Sequence, residues 1–282
     1  MFSAEKPLNK ALYIFGVAVI FVAVYLQYFV PLGQISGYLV VYGIPILVVS
    51  LIFGKPLLSK AAKNNRFALK NGLGLFGALT LLGFVFSVIA MTIIMQFNPN
   101  ALDLLSKPNP VLEVTPTEAW VLIAVSLLVV GPAEEYLFRG FMYGGLLSIF
   151  KGKHWLPLAI LSSVMFAGVH GYYAVTYEVA SVIPFITLTA FGVAMAITYY
   201  WSGGNLLAPA IIHGLYDATG FLGAATSTEV GLAARFALIA VGAIFAINYL
   251  VLKKIRIDPN KFKDVPAESP QPVEPQNLPA NP

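Results

Sequence analysis

GLGLFGALTLLGFVFSVIAMTIIMQF, residues 72–97, contains no Asp, Glu, Lys or Arg. A helix rises 1.5 Å per residue, and about 20 apolar residues cross the hydrocarbon core of a bilayer. This stretch is therefore long enough to span on its own. Similar runs lie at about 11–30, 36–54, 117–138, 155–172, 181–201, 206–222 and 231–252. Together they predict an all-α membrane protein, a bundle of about eight transmembrane helices. Composition agrees: 58% of the 282 residues are hydrophobic and 11% charged, where a soluble domain carries about 25% charged residues. The bilayer is the expected solvent, and no nucleic-acid partner is expected. With no cysteine, disulfides, thiolate metal sites and a thiol nucleophile are excluded.

Residues 116–150 read as one helix of about 50 Å at 1.5 Å per residue. Pro132 is expected to kink it, because proline removes a donor and crowds the preceding turn. The first apolar run, from Ala11, is too long for a cleavable signal and is followed by no small-residue cleavage site. No internal repeat of the transporter kind is evident.

The basic residues set the expected orientation. Lys6 and Lys10 precede the first span, and Lys55, Lys60, Lys63, Arg66 and Lys70 follow the second. Lys151 and Lys153 follow the fourth, and Lys253, Lys254, Arg256, Lys261 and Lys263 the eighth. On the alternate connections Lys107 stands alone among Asp103, Glu113 and Glu118, and the loops near Glu178 and Glu229 carry no Lys or Arg. The positive-inside rule then places both termini in the cytoplasm. Residues 1–257 form one polytopic domain on this reading. Residues 258–282, with seven prolines from Pro259 to Pro282, are expected to be a disordered cytoplasmic tail.

Of thirteen acidic residues, ten lie in loops or at the ends; Glu134, Glu135 and Asp217 lie inside spans. Arg139 is the basic residue well inside a span, Arg235 sits near the edge of the eighth, and His170 and His213 are also in spans. A charge at bilayer depth costs about 2.5–3.5 kcal/mol on insertion scales, so this set needs a compensating reason. Glu135 and Arg139 are spaced i, i+4 in the order that favours an ion pair, and His213 and Asp217 share that spacing. Glu134 points about 100° away from Glu135 around the helix. A packing network explains Glu135 with Arg139. It does not require a further carboxylate and two histidines from other helices, a combination suited to activating water or handling protons. There is no His-Glu-x-x-His and no Gly-x-Ser-x-Gly. An aspartyl dyad would need a second intramembrane aspartate. Glutamate with histidine is left, with or without a metal.

These residues resemble a known pattern. Glu134-Glu135-Tyr-Leu-Phe-Arg139 is similar to the Glu-Glu-x-x-x-Arg motif of the CAAX protease and bacteriocin-processing family. Phe166 and His170 match its Phe-x-x-x-His motif. His213 and Asp217 resemble its third motif, His-x-x-x-Asn in the prenyl protease branch. The three occur in order on successive spans, covering about residues 116–220. The resemblance implies an intramembrane endopeptidase acting on membrane-associated substrates, which in eukaryotic members are prenylated C-terminal CAAX peptides. It implies Glu134 as general base, His170 holding the water, His213 and position 217 stabilising the oxyanion, and Glu135 and Arg139 shaping the site. Asp217 departs from the motif: asparagine donates a hydrogen bond, whereas an ionised aspartate only accepts. Either Asp217 donates in its protonated form or it orients His213. Metal-free catalysis is the expectation, with zinc, held by histidines and carboxylates, as the alternative. A proton-coupled transporter and a non-catalytic scaffold member of the family stand as alternative functions.

The orientation is testable by accessibility labelling of single cysteines placed at Lys63, Lys107 and Lys261. Positions 63 and 261 should label from one side of the membrane and position 107 from the other; labelling of all three from one side contradicts the eight-span arrangement.

Overall fold

The computed structural model describes residues 8–30, 37, 39–53, 62 and 64–250. Among these the chain is nearly all helical, without a strand. In chain order the main helices are α1 (Lys10–Phe29), α2 (Leu39–Ile52), α3 (Asn65–Phe97) and α4 (Pro116–Ile149). They continue as α5 (Trp155–Gly168), α6 (Tyr172–Trp201), α7 (Leu207–Ala225) and α8 (Thr228–Leu250). Each expected span coincides with one of them. The tail and Lys6, Lys55, Lys60, Lys63, Lys253, Lys254, Arg256, Lys261 and Lys263 lie outside the described residues.

Among the described residues four helices are long and apolar enough to cross a membrane: α3, α4, α6 and the Thr228–Asn248 part of α8. In α3 only 17% of the most apolar window is buried within the protein. Phe84, Phe86 and Ile93 point outward and are more than half exposed. Contiguous apolar surface of this kind calls for lipid rather than water around it, so the chain is an integral membrane protein. Helix α4 is the opposite case, with every residue from Leu137 to Tyr143 buried. A helix covered on all sides occupies the centre of its bundle.

Helix α4 begins with a capping box. Thr115 accepts from the Glu118 backbone, Glu118 reaches back to the Thr115 backbone, and Pro116 takes a first-turn position where no N–H is needed. Two π-helical stretches, Ser126–Val130 and Tyr136–Tyr143, flank the short α-helical Gly131–Glu135. The first answers Pro132. The Gly131 N–H bonds five residues back to the Ser126 carbonyl, and this wider turn makes room for a ring that an α-turn would crowd.

Helix α7 lies against α4 and α8, α3 packs against α6 and α8, and α5 against α6. The α4–α7 contact is made by glycines. A Cβ on Gly214 would stand 2.7 Å from the Ser126 carbonyl oxygen and 2.8 Å from Leu127 Cα; one on Gly131 would meet the Ala210 carbonyl oxygen at 2.6 Å. Small residues let membrane helices come into backbone contact. Here they bring His213, beside Gly214, onto Glu134 and Glu135, just after Gly131.

Two further details carry residues to the site. The fifth helix ends at Gly168, a turn earlier than its apolar run suggests, so His170 lies beyond its end. The turn of residues 201–205 is enclosed: Ser202 and Asn205 are fully buried, and Gly203 and Gly204 have φ of +80° and +94°, a conformation that favours glycine. Asn205 Oδ1 accepts from the Ala208 N–H and caps the start of α7.

Gly214→Ala forces two backbones apart and should destabilise the protein by about 1–3 kcal/mol, the usual cost of overpacking. Gly168→Ala, whose Cβ would find its nearest neighbour at 4.0 Å, should leave stability unchanged or slightly raised. Unfolding of the two variants in the same detergent checks the difference.

Candidate active site

Glu135 is at the centre of the polar cluster and is fully buried. Its Oε1 accepts from Arg139 Nη1 at 2.8 Å and lies 2.7 Å from His213 Nδ1. The first contact is the one the i, i+4 spacing predicts. The second joins α4 to α7 across 78 residues of sequence. Arg139, 2% exposed, also donates from Nη2 to the Gly192 carbonyl of α6 at 3.3 Å. Its guanidinium stands 4.5 Å from the centroid of the Phe166 ring and 5.9 Å from that of Phe191. Arg139 therefore ties three helices together through an ion pair, a backbone carbonyl and aromatic faces.

Glu134 takes a different direction, as the 100° offset requires. Its Oε1 accepts from Tyr42 Oη of α2 at 2.7 Å. Its Oε2 lies 3.6 Å from His213 Nε2 and has no hydrogen-bond partner among the described residues. Asp217 Oδ2 is 3.5 Å from the same nitrogen. His213 thus has Glu135 on one ring nitrogen, and Glu134 and Asp217 near the other. The two glutamates meet opposite sides of one imidazole.

His170 joins through Phe166. Its Nδ1 is 2.9 Å from the Phe166 carbonyl oxygen, which orients the ring and is met by a donating Nδ1–H. The Phe166 ring stands edge-on to His170 at 4.9 Å and to His213 at 5.7 Å between centroids. The residue opening the Phe-x-x-x-His pattern is a spacer between the imidazoles and a platform for Arg139.

Part of this cluster borders one cavity of about 600 Å³, whose walls include Glu134, His170, His213 and Asp217. Glu135 and Arg139 do not line it; they stand behind His213. Asp217 is partly open, with 29% of its side chain exposed. Sequence reasoning missed Tyr42, Gly192 and Phe191. Tyr42 lies in an apolar span without a motif, and a carbonyl or a phenyl ring in a membrane helix gives no chemical signal. Among the described residues no group of three or more His, Asp or Glu side chains is placed to hold a metal ion. The arrangement offers a carboxylate oxygen and two imidazoles facing a cavity, which can take, hold and return protons.

Residues 116–219 match the family model described as Rce1-like, type II CAAX prenyl endopeptidase Rce1-like. No curated protein and no solved structure matches the chain. The matched segment runs from the first residue of α4 into α7 and contains every motif residue. It bears out the family resemblance over that segment and supports, at the level of the family, a membrane-embedded protease of the CAAX-processing kind. Helices α1, α2, α3 and α8 lie outside the match, although α2 supplies Tyr42 to Glu134.

Breaking the buried ion pair leaves an uncompensated charge, so Glu135→Gln and Arg139→Met should each cost about 3–5 kcal/mol of stability. A Glu135→Gln, Arg139→Met double variant should cost less than the two single changes added together. A double-mutant cycle of unfolding free energies measures the coupling.

Proposed function

We propose that this protein is an intramembrane endopeptidase that hydrolyses peptide bonds of membrane-associated substrates, as type II CAAX prenyl endopeptidases do, with Glu134 and the cavity histidines activating water. The observation that carries this reading is the state of Glu134. One oxygen is held by Tyr42, the other accepts no hydrogen bond among the described residues and lies 3.6 Å from His213 Nε2, and Glu134 lines the cavity with His170 and His213. A carboxylate fixed by one oxygen and presenting the other is suited to general-base work.

In the proposed reaction Glu134 takes a proton from water held between it and His170. The oxygen attacks the scissile carbonyl and a tetrahedral intermediate forms. His213 in its imidazolium form donates from Nδ1 to Glu135 and from Nε2 toward the cavity, where the developing oxyanion is placed. Asp217, near the same nitrogen, adds a second donor in its protonated form, filling the role of the asparagine in the prenyl protease branch. Collapse of the intermediate breaks the C–N bond, and the proton held by Glu134 passes to the leaving amine. Glu135 and Arg139 position His213 and touch no reacting atom. The chemistry proceeds without a metal. Both termini are cytoplasmic on this proposal, and the substrate is a peptide or protein tethered to the membrane, with a prenylated CAAX peptide as the first to test.

The favoured reading over a proton-coupled carrier rests on where the charges stand. Glu134, His170, His213 and Asp217 are gathered on one cavity, with Glu134 and Asp217 3.6 Å and 3.5 Å from the same nitrogen of His213.

Purified wild type should cleave a prenylated CAAX peptide and keep its activity after chelation and dialysis. Glu134→Gln should lower turnover by about 10²–10⁴ with the fold intact. Asp217→Asn should retain most of the activity and Asp217→Ala should lose about 10²–10³. Near wild-type turnover in a well-expressed Glu134→Gln protein would remove Glu134 from the mechanism. Stoichiometric zinc that disappears together with activity in His170→Ala would replace the metal-free scheme.

A further inference from the structure

Arg235 on α8 plays no part in the scheme above, yet it is the one lysine or arginine that lines the cavity among the described residues. It is half-buried and held in place from two sides. Its Nε donates to Thr219 Oγ1 at 3.0 Å, and its guanidinium lies 4.6 Å from the centroid of the Tyr216 ring. Both anchors are on α7. The ion pairs among the described residues involve Lys107, Arg139 and His213, and Arg235 is in none of them. A guanidinium fixed through Nε and its aromatic face keeps its terminal N–H groups for a partner, and their fork matches a carboxylate. The cavity's acids are Glu113, Glu134 and Asp217, and Arg235 is the permanent cation among its lining residues, which makes it the place there for an anion.

We propose that Arg235 binds the free C-terminal α-carboxylate of the substrate peptide and so fixes the cut a set number of residues from the chain end. This rests on the proteolytic reading of the site. Thr219, which holds Arg235, follows His213 by six residues on the same helix, about 9 Å at 1.5 Å per residue. Three residues of extended peptide span about 10 Å. Arg235, His213 and Glu134 line the same cavity, and this rise along α7 matches a tripeptide between a carboxylate on Arg235 and a scissile bond at His213. A cavity of about 600 Å³ is in the size range that encloses a small ligand. Arg235 acts as a ruler: it reads the end of the chain, and the reaction takes place one tripeptide away.

The test compares two forms of one prenylated CAAX peptide, with a free C-terminal carboxylate and with a C-terminal amide, on full-length reconstituted protein. Wild type should show a KM about 10–100-fold higher for the amide, the range that a charge-assisted hydrogen bond supplies, with a smaller change in kcat. Arg235→Gln should raise KM for the carboxylate form to the level of the amide and abolish the discrimination. Arg235→Lys should restore part of it. Wild type cleaving both forms with equal KM overturns the ruler while leaving the protease reading in place, and needs no variant. An Arg235→Gln protein that loses stability and kcat on both forms alike, with the discrimination intact, assigns Arg235 a structural role and also overturns it. Cleavage of neither form by wild type removes the protease reading, and the ruler with it.

Discussion

A single buried anion organises this protein. Glu135 has no access to solvent, and a carboxylate in that position is tolerated only if its charge is met. Arg139 and His213 both meet it at hydrogen-bond distance. Each brings a constraint of its own. Arg139 is itself buried and needs the Gly192 carbonyl and two aromatic faces. His213, held by Nδ1, has its other nitrogen turned toward Glu134, Asp217 and the cavity. The orientation of the ring that faces the chemistry thus follows from the compensation of a charge that does not.

That compensation requires α4 and α7 to be closer than ordinary side chains permit. Gly131 and Gly214 remove the obstacle on both helices, at positions three residues before Glu134 and one after His213. The π turns add a second adjustment. They bracket the five residues that carry both glutamates, and π turns occur often where a helix presents functional groups. Helix α2, outside the family match, contributes the hydroxyl that holds Glu134. The site therefore depends on more of the chain than its motifs occupy.

Much of this was legible in the sequence, for identifiable reasons. Apolar runs register in composition, and each expected span has its helix. Charged and imidazole side chains inside them are rare enough in a bilayer to mark a site, and Glu134, His170, His213 and Asp217 do border one cavity. The i, i+4 rule predicts the contact of Glu135 with Arg139 because both lie on one helix. It has nothing to say about His213 on Glu135 or Tyr42 on Glu134, which are set by how helices distant in sequence pack. The early end of α5 was hidden because hydropathy does not change at Gly168 when the helix stops inside the protein. Arg235 showed only as a charge near the edge of a span; its role emerges from the two α7 side chains that hold it.

The pairing of Glu135 with Arg139 has a consequence for how the protein is made. His213 comes 78 residues after Glu135, and at about 5–20 residues per second of synthesis several seconds separate their emergence from the ribosome. Throughout that interval α4 has to reside in or beside the bilayer without the helix that will complete its site. An anion whose partners all lay on later helices would face hydrocarbon alone, at a cost of about 2.5–3.5 kcal/mol on insertion scales, enough to disfavour entry of the segment. With the cation one turn further along the same helix, α4 carries its own counter-charge into the membrane. The ion pair that later steadies the imidazole first serves as a travelling companion during biogenesis.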